Sequence, residues 1–592
     1  MCGIVGCIGE QEPGLIRRMT QKLVHRGPDS EGFFTNGNVA VGVRRLSIID
    51  LPRGDQPIFD ESNSMCVVFN GEIYNFRELK HELISRGHCF STNCDTEVVL
   101  HAYKEYGREF PNHLRGMFAA AIVHNNKVLI ARDRLGIKPV YYTILDEGRA
   151  VLFASEIKAF LSSERFHPHI NCQMLCHRVA LGYGFENETI FDEVLSVQPG
   201  QILELDWTGN EVQSRSSQYY DLALCPDESI DPELAETEFL FLLDDSVRRH
   251  LAADVEVGVT LSGGLDSTLI TMSASRHAAG RLKTFTIGDS ELREDIIQSR
   301  SIAELVGSTH REVFMDLDEY VAMIPQCTLA EERPVSLFGL PLFLLFAEVG
   351  KHMKVCLNGE GADELFGGYT EFLDRPFKIK HLKAGLEAAA RTGVSVNDRV
   401  LSILETTCSA STPEEYLTAL FHLNLADQLV KNHLETLDRY GMASGVEVRV
   451  PFLDNEMIEF ANRMPLRFKV HRGVGVGKYI MRGAALKEFG RVTLDSVLRR
   501  KVGLPSAGML LLSKFEEICE AEIPDNYAAK HTYKEFFRCQ SKNEQRYSKR
   551  EIMLFDLFCL IFLEYRGQVP EDFAMEEFIR ETTGARISAA LS

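Results

Sequence analysis

This sequence predicts two domains of different fold class: an α+β β-sandwich domain, then an α/β domain with a doubly wound parallel sheet and a helical C-terminal part. Its 592 residues, 45% hydrophobic and 25% charged, exceed the roughly 150 residues of one compact domain and can bury substantial cores. Short β-rich runs fill the first part, whereas strands alternate with helices later. We therefore expect domains at residues 2–205 and 231–592, joined by a linker at 206–230.

The elements of the first domain are predicted from short apolar runs bounded by glycine and asparagine. These runs are IVGCIG, VAVGVRRLSIID, SMCVVFNGEIY, MFAAAIV, KVLIARD and AVLFASE. A helix is predicted between them at 76–86. Residues 206–230 are polar, which is typical of a linker. Asp231 then suits the N-cap of a helix and Pro232 its first position.

In the second domain, strands and helices alternate, which is the pattern of a parallel sheet with crossover helices. Strands are predicted at 255–261, 283–287 and 354–357, with a helix at 267–277 after the first strand. The remaining chain, 376–592, is mostly helical by pattern.

Net charge and apolar run length exclude two classes of partner. The chain carries 64 Lys and Arg against 85 Asp and Glu, a net charge of −21, which repels nucleic acid and anionic membranes. No apolar run reaches the roughly 18–20 residues that cross a bilayer. The longest runs, 337–346 and 553–563, are expected to be buried core. The start lacks the features of a secretory signal, so we expect a cytoplasmic location.

The fourteen cysteines form no CxxC pair and no Cys/His cluster with zinc-site spacing, so most should be small buried hydrophobes. Cys2 differs, because removal of Met1 would place its thiol beside a free α-amine. The ordinary pKa is about 7.7–8.0 for the amine and about 8.5 for the thiol, so the amine can accept the thiol proton. Cys2 is therefore a candidate nucleophile that needs no histidine base.

Groups that suit an acyl-transfer site follow along the chain. Asn70 and Gly71, predicted on a turn after a strand at 65–69, offer a side-chain amide and a backbone N–H to an oxyanion. Arg45 and Asp95 suit an α-carboxylate and an α-ammonium group, respectively. Each feature alone also fits an ordinary surface arginine or hairpin turn.

Together, five short sequence motifs resemble those of the class II glutamine amidotransferase domain, whose fold is of the N-terminal nucleophile type. These motifs are MCGI, HRGPD, RLSIID, NGEIYN and CDTEVVL. The resemblance implies that Cys2 hydrolyses glutamine and that Asn70 and Gly71 form the oxyanion hole. It implies that glutamine is bound by Arg45, Asn70, Gly71, Glu72 and Asp95.

A second site is indicated by SGGLDS, residues 262–267, at a strand-to-helix junction. Glycines there let backbone N–H groups approach phosphate oxygens, and a helix N-terminus adds partial positive charge. Asp266 can hold a magnesium ion that bridges pyrophosphate. No Walker A motif occurs in the chain. An ordinary capped turn is the alternative.

A second acidic turn, NGEGADELFGGY at 358–369, follows another predicted strand. Two of its carboxylates could share Mg²⁺ with the nucleotide, while a third deprotonates an incoming amine. With SGGLDS, GVEVRVPFLD at 445–454 and Lys478, this turn resembles the ATP-pyrophosphatase synthetase domain of the asparagine synthetase B family. The order of the two domains matches as well.

This resemblance implies roles for the residues of the two turns. Asp266 and Asp363 would hold magnesium, Glu360 would serve the acyl-adenylate step and could assist ammonia attack, and Lys478 would offset the charge of pyrophosphate. The implied ATP-binding residues are Leu261, Ser262, Gly263, Gly264, Asp266, Ser267, Ile287, Asn358 and Gly359. Asn358 replaces a serine that is frequent there, and GVGVG before Lys478 lacks a lysine that some relatives carry.

The two halves together predict glutamine-dependent, ATP-consuming amide synthesis. Ammonia from Cys2 would displace AMP from an acyl-adenylate, and an internal tunnel is expected because ammonia in water is largely protonated. A sugar-isomerase-linked glutaminase would lack SGGLDS, and a β-lactam-forming synthetase would have lost Cys2. Family members are often dimers, so a homodimer is expected.

The acceptor carboxylate is the open part of this prediction. Aspartate is expected, and the alternative is another carboxylate of specialised metabolism or of a surface sugar pathway. Arg333 or Arg449 could pair with the acceptor. Leu337 and Phe338 make the segment before the second acidic turn apolar, which also fits a buried lead-in to a helix.

Overall fold

The computed structural model describes residues 2–490, 509–538 and 548–581. Met1 lies outside the described residues, so its removal stays a prediction. Among the described helices, each is too short or too polar to span a membrane.

The N-terminal part of the described chain forms two antiparallel sheets of six strands each. Its strands are β1 (Cys2–Gly9), β2 (Ser30–Asn36), β3 (Val39–Arg45), β4 (Ile58–Phe59), β5 (Met65–Ile73), β6 (Gly116–His124), β7 (Lys127–Arg132), β8 (Tyr141–Leu145), β9 (Ala150–Ala154), β10 (Val194–Ser196), β11 (Gln201–Trp207) and β12 (Val212–Gln218). The first sheet has the order β10-β8-β9-β1-β3-β2 and the second the order β12-β11-β7-β6-β5-β4.

Side-chain alternation along β1 explains how the first sheet packs on both faces. Ile4 and Ile8 belong to the core between the two sheets, together with Val68 of β5. Val5 and Cys7 face the other side, in the core that includes the first helix. The helices of this part are α1 (Leu15–Gln21), α2 (Phe76–Ser85), α3 (Asp95–Tyr106) and α4 (Cys172–Leu181). The predicted β-sandwich is therefore confirmed, with α1 and α3 packed on its two sheets.

The predicted linker starts too early. Strand β11 continues to Trp207, and β12 pairs with it residue by residue up to Gln218, so residues 206–218 belong to the sandwich. The sequence of β12, VQSRSSQ, is polar because the strand lies exposed at the sheet edge. An exposed edge strand lacks the apolar alternation on which the prediction depended.

The second domain is built on a parallel sheet. Its strands are β13 (Val257–Thr260), β14 (Lys283–Gly288), β15 (Thr309–Phe314), β16 (Val355–Leu357) and β17 (Glu447–Arg449), and a short antiparallel pair is formed by β18 (Val470–His471) and β19 (Val476–Gly477). All pairings in the five-stranded sheet are parallel, in the order β15-β14-β13-β16-β17 within the described residues. This confirms the predicted doubly wound sheet.

Helices make up most of the remaining described chain. They are α5 (Pro232–His250), α6 (Leu265–His277), α7 (Glu294–Val306), α8 (Leu317–Ala322), α9 (Ile324–Glu331), α10 (Leu340–Gly350), α11 (Ala362–Phe366), α12 (Thr370–Leu373), α13 (Arg375–Thr392), α14 (Asp398–Ser409), α15 (Pro413–Leu423), α16 (Glu435–Ala443), α17 (Asn455–Arg463), α18 (Leu466–Lys469), α19 (Tyr479–Phe489), α20 (Met509–Glu522), α21 (Asp525–Lys530), α22 (Lys549–Cys559) and α23 (Met575–Glu581). Helix α5 begins as predicted, because the Asp231 carboxylate accepts hydrogen bonds from the backbone N–H groups of Glu233 and Leu234.

Buried ion pairs join the two domains. Arg449 of β17 is fully buried, and its Nη2 donates to Oε2 of Glu72 on β5 at 2.8 Å. Arg115 holds both carboxylate oxygens of Asp454 through its Nε, each at 2.9 Å. A buried charge is tolerated only when it is paired, so these contacts fix how the domains face one another.

Replacing Arg115 with methionine should therefore destabilise the protein. The buried Asp454 carboxylate would lose its partner, and a loss of about 3–5 kcal/mol is expected in the first urea unfolding transition. The control is Arg108→Met, which removes an exposed pair with Glu204 and should change stability by less than about 1 kcal/mol. Equal, small effects of both variants would contradict the structural role of the Arg115 pair.

Candidate active sites

Cys2 begins β1 and is held by three neighbours. Its backbone N–H donates to Asn70 Oδ1 at 3.1 Å, and its carbonyl accepts from Arg26 Nε at 3.2 Å. Gln56 Nε2 lies 3.5 Å from the Cys2 sulfur. Burial raises the pKa of the thiol. A thiol in this setting needs an adjacent base to become a nucleophile, which an α-amine at Cys2 would supply.

The predicted oxyanion-hole residues lie beside Cys2, but within a strand and not on a turn after it. Strand β5 continues through Asn70 and Gly71 to Ile73, because it pairs with β6 along its whole length. Asn70 is fully buried, and its Nδ2 has no hydrogen-bond partner among the described residues. A Cβ on Gly71 would stand 2.2 Å from the carbonyl oxygen of Met117. Asn70 is therefore an unpaired neutral donor of the kind that an oxyanion requires.

Arg45 and Asp95, the predicted ligands of the substrate's charged groups, are both buried near Cys2. Arg45 lies opposite Cys2 in the β1–β3 pairing, and its guanidinium donates to backbone carbonyls at residues 49–51 and to Asp55. Asp95 begins α3, and its Oδ2 accepts from the backbone N–H of Ile73 at 3.1 Å. Burial raises the pKa of the Asp95 carboxyl.

Glu72 connects this site with the second domain. One of its carboxylate oxygens accepts from Arg449 at 2.8 Å, and the other is buried and has no hydrogen-bond partner among the described residues. Glu72 was predicted as a glutamine ligand, whereas its contact with Arg449 was not predicted. Nothing in the local sequence indicates this pairing, since the partners are far apart along the chain.

A cleft of about 170 Å³ lies beyond the carboxyl ends of β13 and β16. It brings together nine of the predicted synthetase residues: Leu261, Ser262, Asp266, Ser267, Ile287, Asn358, Gly359, Glu360 and Asp363. Gly263 and Gly264 belong to the same turn but do not line the cleft. The cleft lies at the edge of the sheet where ligands of doubly wound folds bind.

The turn SGGLDS is shaped by its glycine and serine residues. Gly263 has φ of 69°, and a Cβ there would stand 2.5 Å from the side chain of Gln298. The Ser267 hydroxyl accepts from the backbone N–H of Ser262 at 3.2 Å. Helix α6 begins at Leu265, so its N-terminal N–H groups lie next to the cleft.

Lys478 lies between the two predicted magnesium ligands. Its Nζ is 2.6 and 2.7 Å from the carboxylate oxygens of Asp266 and 2.6 Å from Asp363. Gly368 makes room for this arrangement, because a Cβ there would stand 1.7 Å from Asp363 Oδ1. The carboxylates of Asp266 and Asp363 thus converge on the ammonium group of Lys478 beside the cleft. Converging carboxylate oxygens are the donor type that Mg²⁺ prefers, so these residues fit the ion.

Asn358 is held by three hydrogen bonds at the start of the second acidic turn. Its Nδ2 donates to Thr260 at 3.0 Å, and its Oδ1 accepts from the backbone N–H of Glu360 at 2.9 Å. Its own N–H donates to the carbonyl of Arg449 at 2.8 Å. Arg449 therefore contacts the second acidic turn, which is the predicted nucleotide turn, through its backbone, and the predicted glutaminase domain through its side chain.

One histidine of the second site was not predicted. His433 Nδ1 lies 3.0 Å from Glu360 Oε1, and Nε2 lies 4.0 Å from Oε1 of Glu364. Burial raises the pKa of Glu364 to about 7. No motif surrounds His433, which contacts Glu360 from a π-helical segment, Asn424–Leu434.

The two arginines proposed for the acceptor have other partners. Arg333 is buried and donates to the carbonyl of Lys431 and to the hydroxyl of Thr436. Arg449 is fully buried in the interface described above. Both assignments are therefore corrected: these guanidinium groups bind the protein itself. In the apolar segment before α10, Leu337 is buried but Phe338 is 47% exposed.

Comparison with known proteins agrees with this geometry. Residues 1–220 match a family described as a glutamine amidotransferase domain, and residues 238–561 match the asparagine synthase family. Asparagine synthetase (glutamine-hydrolyzing) 1 of Bacillus subtilis (strain 168) is 31% identical over 566 residues, covering 85% of this chain and 87% of that protein. A putative asparagine synthetase (glutamine-hydrolyzing) of Mycobacterium bovis is 31% identical over 636 residues, covering 95% of this chain and 96% of that protein.

Among solved structures, a glutamine phosphoribosylpyrophosphate amidotransferase from B. subtilis is similar to 54% of this chain and 91% of that chain, with 17% identity and a TM-score of 0.30. The family matches and curated relatives confirm the resemblance predicted from the sequence. The chain belongs to the glutamine-hydrolysing asparagine synthetase family and is a carbon–nitrogen ligase that takes nitrogen from glutamine.

Proposed function

We propose that the enzyme converts aspartate to asparagine, with glutamine as nitrogen donor and with release of AMP and pyrophosphate. Arg449 is the observation that supports the coupling of the two sites in one reaction. Its side chain binds Glu72 next to the Cys2 site, and its backbone carbonyl binds Asn358 in the nucleotide turn. One residue thus ties together the two sites that the reaction requires.

In the glutaminase step, the Cys2 sulfur attacks the side-chain amide carbon of glutamine. Its proton passes to the α-amine of Cys2, which is free once Met1 is removed. The oxyanion accepts hydrogen bonds from Asn70 Nδ2 and from the backbone of Gly71. Ammonia leaves with the proton, and water then hydrolyses the thioester to glutamate. Asn70 suits this role because its Nδ2 is buried and unpaired among the described residues.

The remaining buried groups near Cys2 orient glutamine. Arg45 would receive the α-carboxylate, while Glu72 and Asp95 would receive the α-ammonium group. The buried carboxylates are suited to a cation, because an incoming ammonium group compensates their charge. The free oxygen of Glu72 is available for this contact.

In the synthetase step, a carboxylate of the acceptor attacks the α-phosphorus of ATP, and pyrophosphate leaves. Leu261 and Ile287 provide apolar surface for the base, and the turn at 262–267 offers backbone N–H groups to the phosphates. Lys478 offsets the charge of the leaving pyrophosphate. Asp266 and Asp363 would hold Mg²⁺, which neutralises phosphate charge when bound.

We infer that ammonia moves from Cys2 to the acyl-adenylate inside the protein. The route proposed runs along the buried interface of the two domains, where water is excluded and ammonia stays unprotonated. The paired charges of Glu72 and Arg449 support the route, since both side chains are buried at this interface.

Aspartate is proposed as the acceptor because the curated relatives carry the name asparagine synthetase. The alternative, another carboxylate, has no comparable support. The protein is to be mixed with glutamine, Mg-ATP and single carboxylic acids, while pyrophosphate and glutamate are measured. We expect pyrophosphate only with aspartate. Pyrophosphate release with a different acid, and not with aspartate, would identify that acid as the acceptor. No pyrophosphate release with any acid would overturn the proposed function.

Replacing Cys2 with alanine separates the two sites. Glutamine-dependent synthesis should fall by about 10³-fold or more, the scale on which loss of a catalytic nucleophile acts. Synthesis from added ammonia should persist, because the synthetase cleft keeps its residues. The matched control is Cys7→Ala, on the same strand but facing the other side, which should keep both activities. Loss of ammonia-dependent synthesis in Cys2→Ala would contradict the division into two sites.

A further inference from the structure

Three titratable side chains meet beside the nucleotide cleft. Glu360, Glu364 and His433 bring donor atoms within 4.8 Å of one another. Glu360 lines the cleft and its side chain is 24% exposed, the His433 side chain is 23% exposed, and Glu364 is fully buried. The Tyr369 hydroxyl donates to the Glu364 carboxylate. His433 is thus the member of the cluster that touches Glu360 and faces Glu364.

The backbone that carries His433 leads toward the glutaminase site. The π-helical segment Asn424–Leu434 continues directly into α16, on which Asp438 accepts from Arg26 Nη1 at 2.8 Å. Arg26 Nε in turn donates to the carbonyl of Cys2. Five helical residues span about 7.5 Å. His433 therefore lies on the helical connection between the two sites, at its synthetase end.

We propose that His433 is a positioning residue for the amide-forming step, an inference that rests on the proposed function. Its Nδ1 lies 3.0 Å from one oxygen of Glu360 and fixes the orientation of that carboxylate beside the cleft. Ammonia attacks the acyl carbon and a C–N bond forms. One N–H proton passes to the Glu360 carboxylate. The C–O bond to AMP then breaks, and AMP leaves with the electron pair.

The residues proposed for the amide-forming step differ from those proposed for adenylation. Lys478 is bound by Asp266 and Asp363, and those three groups act on the phosphates. His433 instead contacts Glu360 at 3.0 Å and lies 4.0 Å from Glu364, so it holds the Glu360 carboxylate apart from the Lys478 group. Loss of His433 should disturb the base and leave ATP chemistry largely intact.

The test compares two partial reactions in His433→Leu and His433→Asn. Aspartate-dependent exchange of labelled pyrophosphate into ATP, without a nitrogen donor, measures adenylation. Asparagine formed from ammonia measures the second step. For His433→Leu we expect exchange within about 3-fold of the wild type and kcat for amide formation reduced by about 10²-fold, the lower end of base catalysis. His433→Asn keeps an N–H donor near the Nδ1 position and should recover at least a tenth of the wild-type rate.

The possible results distinguish failure of the His433 proposal from failure of the proposed function. The control His422→Leu, a histidine at the end of α15 outside the cluster, should keep both activities. Equal losses of exchange and amide formation in His433→Leu would overturn the proposal, and so would unchanged amide formation or an asparagine variant no better than leucine. A wild-type protein without pyrophosphate exchange would instead overturn the proposed function, which keeps the two failures distinct.

Discussion

The structure depends on the buried guanidinium of Arg449. Removing such a group from water costs several kcal/mol unless each donor is paired. Here it is paired with Glu447 on its own strand, with Glu72 of the other domain, and with backbone carbonyls near the end of α5. These partners come from both domains, so the guanidinium is satisfied only when the domains are docked. The carbonyl of Arg449 simultaneously fixes Asn358 in the nucleotide turn.

The two proposed sites on either side of this interface differ in electrostatics, which suits the different charges that they are proposed to bind. An oxyanion that forms and collapses needs neutral donors, and the buried amide of Asn70 is of this type. Phosphates carry permanent charge, and their cleft combines Lys478 with the carboxylates of Asp266 and Asp363. The proposed base for ammonia, Glu360, is instead paired with His433.

The sequence predicts those parts of the fold that follow from local pattern. Three of the five parallel strands, the helix capped by Asp231 and most residues of both acidic turns are found where the pattern placed them, whereas the strands Thr309–Phe314 and Glu447–Arg449 were not predicted. The edge strand Val212–Gln218 was missed because an exposed strand needs no apolar side chains. Asn70 was predicted on a turn because Asn-Gly usually forms one, whereas pairing with β6 keeps the strand extended. His433 carries no motif, and only long-range contacts bring it to Glu360.

The proposed function requires that nitrogen passes between the two sites without entering bulk water. It is tested most directly with glutamine labelled with ¹⁵N at the side-chain amide, in the presence of unlabelled ammonium too dilute to support synthesis alone. If the account is correct, asparagine carries undiluted label and forms in equal amount with glutamate. Label diluted in proportion to the unlabelled ammonium would contradict the account.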